Sequence, residues 1–471
     1  MQSPKNNISN EVLGGLSSEI PDLEISRQPE DLTEYGRDWT RLYPPEPCGI
    51  AFPRSEEQIL RLVRWANSAG VALVPSGGRT GLSGGAVAAK GELVVSMARM
   101  DRLLEFDPVD RTLTVEAGMI TEKIQQLAAE NGLMFPVDFA AKGSSQIGGN
   151  LATNAGGVKV LRYGLTRDWV VGMRVVTGAG ELLDVNRGLI KNATGYDLRH
   201  LFIGSEGTLG IIVSVTLRLA EPPPSQSVMV VGLEGMDPLM QVFDLARESL
   251  TLSAFEFFSD LALSYVIAEG SPRAPFESRM PYYALLEFDC VGEDGEAAAL
   301  AFFERCLEEG WIGDGVLSQS EAQAAELWSL REFISERISA KTPYKNDLST
   351  RISQVPAFLH ALEDVVLSRY PDFEVVWYGH IGDGNLHLNI LKPDDLSLAE
   401  FKKACESVNE EIFGVVARFR GSVSAEHGVG LLKQPYLDRS RDPHEIHYLS
   451  GIKRVFDPNW ILNPGKMLPE A

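Results

Sequence analysis

The run Ser76-Gly77-Gly78-Arg79-Thr80-Gly81-Leu82-Ser83-Gly84-Gly85 constrains this chain more than any other stretch. It follows Val71-Ala72-Leu73-Val74-Pro75, which reads as a short buried strand. Glycines reach positive φ without strain and carry no Cβ, so successive backbone N–H groups can converge on an anion. The hydroxyls and guanidinium of Ser76, Arg79, Thr80 and Ser83 add donors suited to a pyrophosphate. The spacing fits neither the G-x-G-x-x-G nucleotide fingerprint nor a P-loop, which argues against an ordinary nicotinamide or ATP site. A second loop, Gly143 to Gly157, is too polar and glycine-rich for core packing, and a third, Gly204 to Gly210, precedes the strand predicted over 210–219. Three such loops in one region imply a large, flat cofactor.

With 471 residues, two or three domains are expected. A capping box at Ser55 and Gln58 predicts a helix ending at Gly70. Strands are predicted at 71–75, 92–97, 113–117, 169–177 and 210–219, and a helix over 121–131. Pro222-Pro223-Pro224 continues neither helix nor strand and marks a domain boundary. Beyond it, strands at 228–233, 283–288, 375–379 and 386–391 alternate with helices from about 238 and at 295–309, 354–367 and 397–419. The expected class is α+β, with antiparallel sheet covered by helices. The expected organisation is a leader over 1–45, a cofactor domain over 46–222, a substrate and metal domain over 223–455, and a C-terminal segment, 456–471, returning to the first domain. The net charge of −22 argues against nucleic acid and anionic membranes as partners. Neither a signal peptide nor an apolar run of membrane-spanning length is visible. Cys48, Cys290, Cys306 and Cys405 are scattered, which suits a reducing, cytoplasmic setting.

Of seven histidines, three fall in Gly379-His380-Ile381-Gly382-Asp383-Gly384-Asn385-Leu386-His387-Leu388-Asn389 and Ala425-Glu426-His427-Gly428. The Gly-Asp-Gly turn between apolar stretches predicts a hairpin with His380 and His387 across from one another. Two imidazoles plus a carboxylate from elsewhere make a site for a divalent ion, with Zn²⁺, Mn²⁺ and Co²⁺ all compatible. No helical H-E-x-x-H occurs, which argues against a zinc protease. Arg331 lies on an apparent amphipathic helix with Ser335 one turn later on the same face.

The three glycine-rich loops resemble the FAD domain of the vanillyl-alcohol-oxidase-like flavoproteins. The two histidine runs resemble the D-2-hydroxy-acid dehydrogenase branch of that family. The likeness runs from about Pro45 to Lys466, and it implies a two-subdomain FAD-binding domain with an antiparallel-sheet cap domain. Carried onto this chain, the flavin contacts fall on Ser76, Gly77, Gly78, Arg79, Thr80, Gly81, Leu82 and Ser83 of the first loop. They continue on Ser144, Gly148, Asn150, Thr153, Asn154 and Gly156 of the second, then Gly207, Ile212 and Asn463. Some relatives bond flavin through a His or Cys in the first loop; this loop has neither, so the FAD is expected to be dissociable. The resemblance places the metal, zinc foremost, on His380, His387 and Glu426, and substrate contacts on Arg331, Ser335, Lys345, Asn389 and His427.

His427 is the expected catalytic base, because imidazole titrates near neutrality and suits abstraction of a hydroxyl proton. Arg331 can pair bidentately with a carboxylate, and Lys345 offers a compact charge for a second one. Asn389, two residues beyond His387, shares its strand face. The Tyr344–Leu348 neighbourhood is most similar to enzymes acting on D-2-hydroxyglutarate. The implied reaction takes that substrate to 2-oxoglutarate by hydride transfer from C2 to flavin N5, with D-lactate, D-malate or glycolate as alternatives. Electrons would pass to an electron-transfer flavoprotein or a quinone, and the resemblance implies a homodimer.

Overall fold

Ser55 shows how local chemistry sets the first long helix. Its Oγ accepts from the Gln58 amide at 3.3 Å, and the helix runs Glu56–Ala69 before Gly70 closes it. The Gln58 side chain reaches one residue further back than a capping box requires, its Oε1 accepting from the Arg54 amide at 2.7 Å. The helix buries Ile59, Leu62, Val63 and Ala66, the i, i+3, i+4, i+7 stripe of an amphipathic helix. Each large aliphatic side chain so buried stabilises by about 1.5–3 kcal/mol. The computed structural model describes residues 10–469. Residues 1–9 of the expected leader and 470–471 of the expected C-terminal segment lie outside the described residues.

The chain falls into two compact units, the first comprising 1–156, 165–222 and 426–471, the second 157–164 and 223–425. In the first, β1 (Glu24–Ser26), β2 (Gly49–Phe52), β3 (Leu73–Ser76) and β4 (Leu93–Ser96) form a sheet of order β1-β2-β4-β3. β2, β4 and β3 run parallel within it. A separate antiparallel sheet contains β5 (Leu103–Asp107), β6 (Thr112–Glu116), β7 (Val170–Thr177), β8 (Leu182–Val185) and β9 (Gly210–Arg218), in the order β5-β6-β9-β7-β8. The first glycine-rich loop leaves β3, the second opens the helix Ile147–Thr153, and the third precedes β9.

The second unit is built on seven antiparallel strands: β10 (Gln226–Leu233), β11 (Leu252–Ser259), β12 (Tyr282–Asp289), β13 (Asp314–Leu317), β14 (Tyr344–Ser349), β15 (Val375–Gly379) and β16 (Asn385–Ile390). Their order is β13-β10-β12-β11-β15-β16-β14. One face packs Val228, Val230, Ala254, Phe258, Tyr283 and Leu285 against Leu327, Trp328, Leu330 and Ile334 of the helices Glu321–Glu332 and Ile334–Arg337. Phe258 and Tyr283 stack with centroids 5.3 Å apart.

Two features depart from expectation. β1, β2, β5 and β8 of the first unit and β11, β13 and β14 of the second went unpredicted, β11 because it is buried on both faces and shows no alternation. The third stretch of the first unit begins at Glu426 rather than at residue 456. Its early part is held there by the Val429 and Gly430 amides, both 2.7 Å from the Glu206 carboxylate, and by Lys453, which donates to the Thr208 carbonyl. Among the described residues no helix is long and apolar enough to cross a membrane.

Candidate active site

In the first unit the two leading glycine-rich loops lie backbone against backbone. A Cβ on Gly78 would collide with the Ser144 carbonyl and come 2.8 Å from Ser145 Cα, so only glycine fits there. Around this contact Ser76 Oγ and Gln146 Oε1 are buried without a hydrogen-bond partner, as expected where a polar ligand completes the site. Gly77 adjoins the Gln146 side chain, and a Cβ on Gly148 would press on Ala117. Ser83 is buried and its carbonyl accepts from the amides of Leu431 and Leu432, both at 3.0 Å. Thr80, Gly81 and Leu82 stay nearer the surface, the Gly81 carbonyl accepting from Trp39 at 3.0 Å. Ser144 is exposed and Gly156 buried.

Several polar residues expected to touch cofactor have protein partners. Arg79 sits at φ 59°, pairs with Glu34 at 3.0 Å and stacks on Tyr35. Asn150 donates to Thr121 Oγ1 at 2.6 Å, and Asn154 Oδ1 accepts from the Arg167 amide. The Thr153 hydroxyl bonds back to the Gly149 carbonyl within its own helix. Asn463 bridges two loops, donating to the Glu206 carbonyl at 2.7 Å and that of Gly85 at 3.3 Å, while Gly207 adjoins Pro75. Ile212 is buried in β9. The donors left for phosphates are mainly backbone, and the loops with two orphaned polar atoms fit a dinucleotide cofactor. Glu426 and His427 belong to this unit, His427 Nε2 lying 3.7 Å from Glu426 Oε1.

In the second unit the histidine hairpin forms, with a shifted pairing. Tyr378, not His380, lies opposite His387. His380 precedes a 3₁₀ turn over Ile381–Asp383, and its carbonyl accepts from Asn385 at 3.2 Å. The turn ends at Gly384, φ 86°, where a Cβ would strike the Thr350 carbonyl. His380 and Tyr378 share a face, so the two imidazoles still meet edge to face, centroids 5.3 Å apart.

β14 contributes Lys345 opposite Asn389 and Asp347 opposite His387. Asp347 Oδ1 is 3.7 Å from His387 Nδ1 and accepts from Asn385 Nδ2 at 2.8 Å. Lys345 Nζ donates to Ser335 Oγ at 2.8 Å, and burial pulls its pKa down to about 8. Asn389 is buried with Oδ1 unpartnered. Arg331, at the end of its helix, lies over the Tyr378 ring at 4.7 Å. Its Nε is 2.9 Å from Glu256 Oε2, a close ion pair but too misaligned for a hydrogen bond. Glu256 Oε1 is 2.8 Å from His380 Nδ1. The unit thus gathers Arg331, Ser335, Lys345, His380, His387 and Asn389 at one end of the sheet. Ala425, its last residue, donates to the Asp347 carbonyl at 3.3 Å, and Glu426 follows it in the chain.

Glu256, Asp347, Gln146 and Glu206 were not foreseen as parts of either site. Glu256 had a usable signal, being the sole charged side chain of a strand buried throughout.

Residues 47–186 match the family model described as FAD binding domain, and 222–467 match that of FAD linked oxidases, C-terminal domain. A D-2-hydroxyglutarate dehydrogenase of Xanthomonas citri pv. viticola is 57% identical, over 96% of each chain. A putative mitochondrial D-lactate dehydrogenase of Schizosaccharomyces pombe is 36% identical, over 97% of this chain and 88% of its own. The crystal structure of p-cresol methylhydroxylase with substrate bound superposes with a TM-score of 0.76 at 16% identity, covering 99% of both chains, which establishes the fold alone. The chain therefore belongs to the FAD-dependent D-2-hydroxy-acid dehydrogenases of the vanillyl-alcohol-oxidase-like flavoprotein family.

Proposed function

We propose that this enzyme oxidises D-2-hydroxyglutarate to 2-oxoglutarate. The observation carrying this reading is the pair of cations, Arg331 and Lys345, set on the sheet end that holds His380, His387 and Asn389. A monocarboxylate needs one such cation, and a dicarboxylate employs two. Arg331 would take the carboxylate beside the reacting carbon, its planar fork matching that group. Lys345 would take the distal carboxylate, with Ser335 orienting the ammonium. Asn389 and the packed Tyr378 ring would fix the substrate between them.

His427 would accept the hydroxyl proton as the C2–H bond breaks. FAD, held without a covalent bond, supplies the two-electron acceptor for the hydride. A divalent ion, zinc foremost with manganese or cobalt also suited, would be held by His380, His387 and Glu426 and would supply Lewis acidity towards the substrate's alcohol. The Glu256 contact supports this donor set, since Nδ1–H bonded to a carboxylate leaves Nε2 as the lone-pair nitrogen of His380. Electrons would leave to an electron-transfer flavoprotein or a quinone. A homodimer in the cytoplasm completes the proposal, the four free cysteines suiting a reducing compartment.

Similarity to the putative D-lactate dehydrogenase favours D-lactate as a second reading, with D-malate and glycolate in the same class. Anaerobic mixing of FAD-loaded enzyme with each acid decides between them. D-2-Hydroxyglutarate should bleach the oxidised flavin band most efficiently, and chelator should suppress the bleaching. Equal efficiency on D-lactate, unchanged in Lys345→Ala, would remove the dicarboxylate reading.

A further inference from the structure

We infer that Glu256 is the positioning residue that locks the substrate cation Arg331 and the imidazole His380 into one unit. The inference rests on the proposed roles of those two residues and adds a third that holds both. Glu256 sits in Phe255-Glu256-Phe257-Phe258, in the middle of the sheet, with its side chain only 2% exposed. Burying a lone carboxylate is costly, and apolar side chains of similar volume usually replace buried ion pairs without loss of stability. A charge kept at such a place therefore calls for a role beyond packing.

Both its oxygens are engaged, and each with a different half of the site. Oε1 lies 2.8 Å from His380 Nδ1, and Oε2 lies 2.9 Å from Arg331 Nε. The register favours the first contact: Phe257 pairs with Gly379 and Phe258 with Tyr378, so one step along brings Glu256 beside His380. The first contact fixes the tautomer and the ring plane of His380, so that Nε2 is the nitrogen that would ligate a metal. The second holds the guanidinium over the Tyr378 ring, which itself packs 4.9 Å from the His387 ring. One carboxylate thereby sets the spacing between the group that grips the substrate's carboxylate and an imidazole proposed to ligate the ion.

Glu256→Gln tests this because it keeps the volume while spoiling one contact or the other. If the amide oxygen faces His380, the NH₂ faces a guanidinium. If it is reversed, the NH₂ donates to Nδ1 and forces the proton onto Nε2, which then cannot ligate. Purified holoenzyme is measured for flavin content, for zinc affinity by chelator competition, and for kcat and KM with D-2-hydroxyglutarate. E256Q should keep its FAD, bind zinc roughly 10- to 100-fold more weakly, and show a raised KM. Should E256Q not accumulate folded, Glu256→Asp, whose shorter arm cannot reach both partners, is read by the same measurements. Wild-type zinc affinity and unchanged KM, with only a lower Tm, would leave Glu256 as a structural carboxylate and overturn the inference. His380→Asn separates this from failure of the underlying reading. Loss of zinc in H380N with retention in E256Q defeats the inference alone, whereas retention in H380N defeats the metal assignment itself.

Discussion

Lys345 gives the sharpest quantitative test of the dicarboxylate reading. Its ammonium is pulled from the ordinary 10.5 to about 8 by burial, and its hydrogen bond goes to the Ser335 hydroxyl. Only the protonated form attracts a carboxylate. With a free-enzyme pKa of about 8, the apparent KM scales as 1 + 10^(pH − 8), so it rises roughly tenfold between pH 7 and pH 9. D-Lactate lacks the distal carboxylate, and its KM should not follow this curve. In Lys345→Met the pH dependence should flatten and the preference for D-2-hydroxyglutarate over D-lactate should fall roughly 10- to 150-fold, the loss of one charge-assisted contact of about 1.5–3 kcal/mol. Stability should move the opposite way. Below pH 8 the lysine is charged in both folded and unfolded chains, and the fold bears the full burial penalty. Between pH 8 and 10.5 the folded form sheds its proton first, so stability gained from this group rises with pH. The fall from 10.5 to about 8 corresponds to about 3 kcal/mol, and partial exposure of the side chain trims it to about 1–3. K345M should therefore melt higher than wild type at pH 7 and lose that advantage by pH 10.5. Steady-state assays from pH 6.5 to 9.5 and melting curves at pH 7 and pH 10.5 supply the data. A D-2-hydroxyglutarate KM flat across pH 7–9, with D-lactate behaving identically, would refute the assignment of Lys345 to the distal carboxylate.

Three further outcomes follow from the site. His427→Asn should lower kcat by roughly 10²- to 10⁴-fold while flavin content is unchanged, and near-normal turnover would pass the base to another group. Gly78→Ala, whose Cβ would meet the Ser144 carbonyl, should be isolated with little FAD, as read from visible absorbance per protein, and stoichiometric flavin would show that the two loops need not touch. Chelator treatment of the holoenzyme should abolish turnover with the flavin band intact, and Zn²⁺, Mn²⁺ or Co²⁺ should restore it, whereas chelator-resistant activity would leave His380 and His387 without their proposed task.

Features whose partners are near in sequence were legible, and those depending on strand register were not. Ser55 and Gln58 act within four residues of one another, and the helix they start runs as read. The glycine-rich loops were equally readable, because the constraint at Gly78 is the absence of a side chain. The histidine hairpin was half readable: its turn carries Gly384, but the 3₁₀ turn shifts the pairing so that Tyr378 faces His387. β14 was hidden because Lys345 and Asp347 on one face and Asn346 on the other leave no apolar alternation to detect. Glu256 was hidden for a different reason. It lies 124 residues from His380, and only the adjacency of β11 and β15 in a sheet of non-sequential order brings the two together. Its one local mark was chemical, a carboxylate in a strand with no exposed face. A charge that a buried strand retains must be answered by the fold, and here two residues proposed for chemistry answer it, which is why the least readable residue of the site is also the one best placed to tune it.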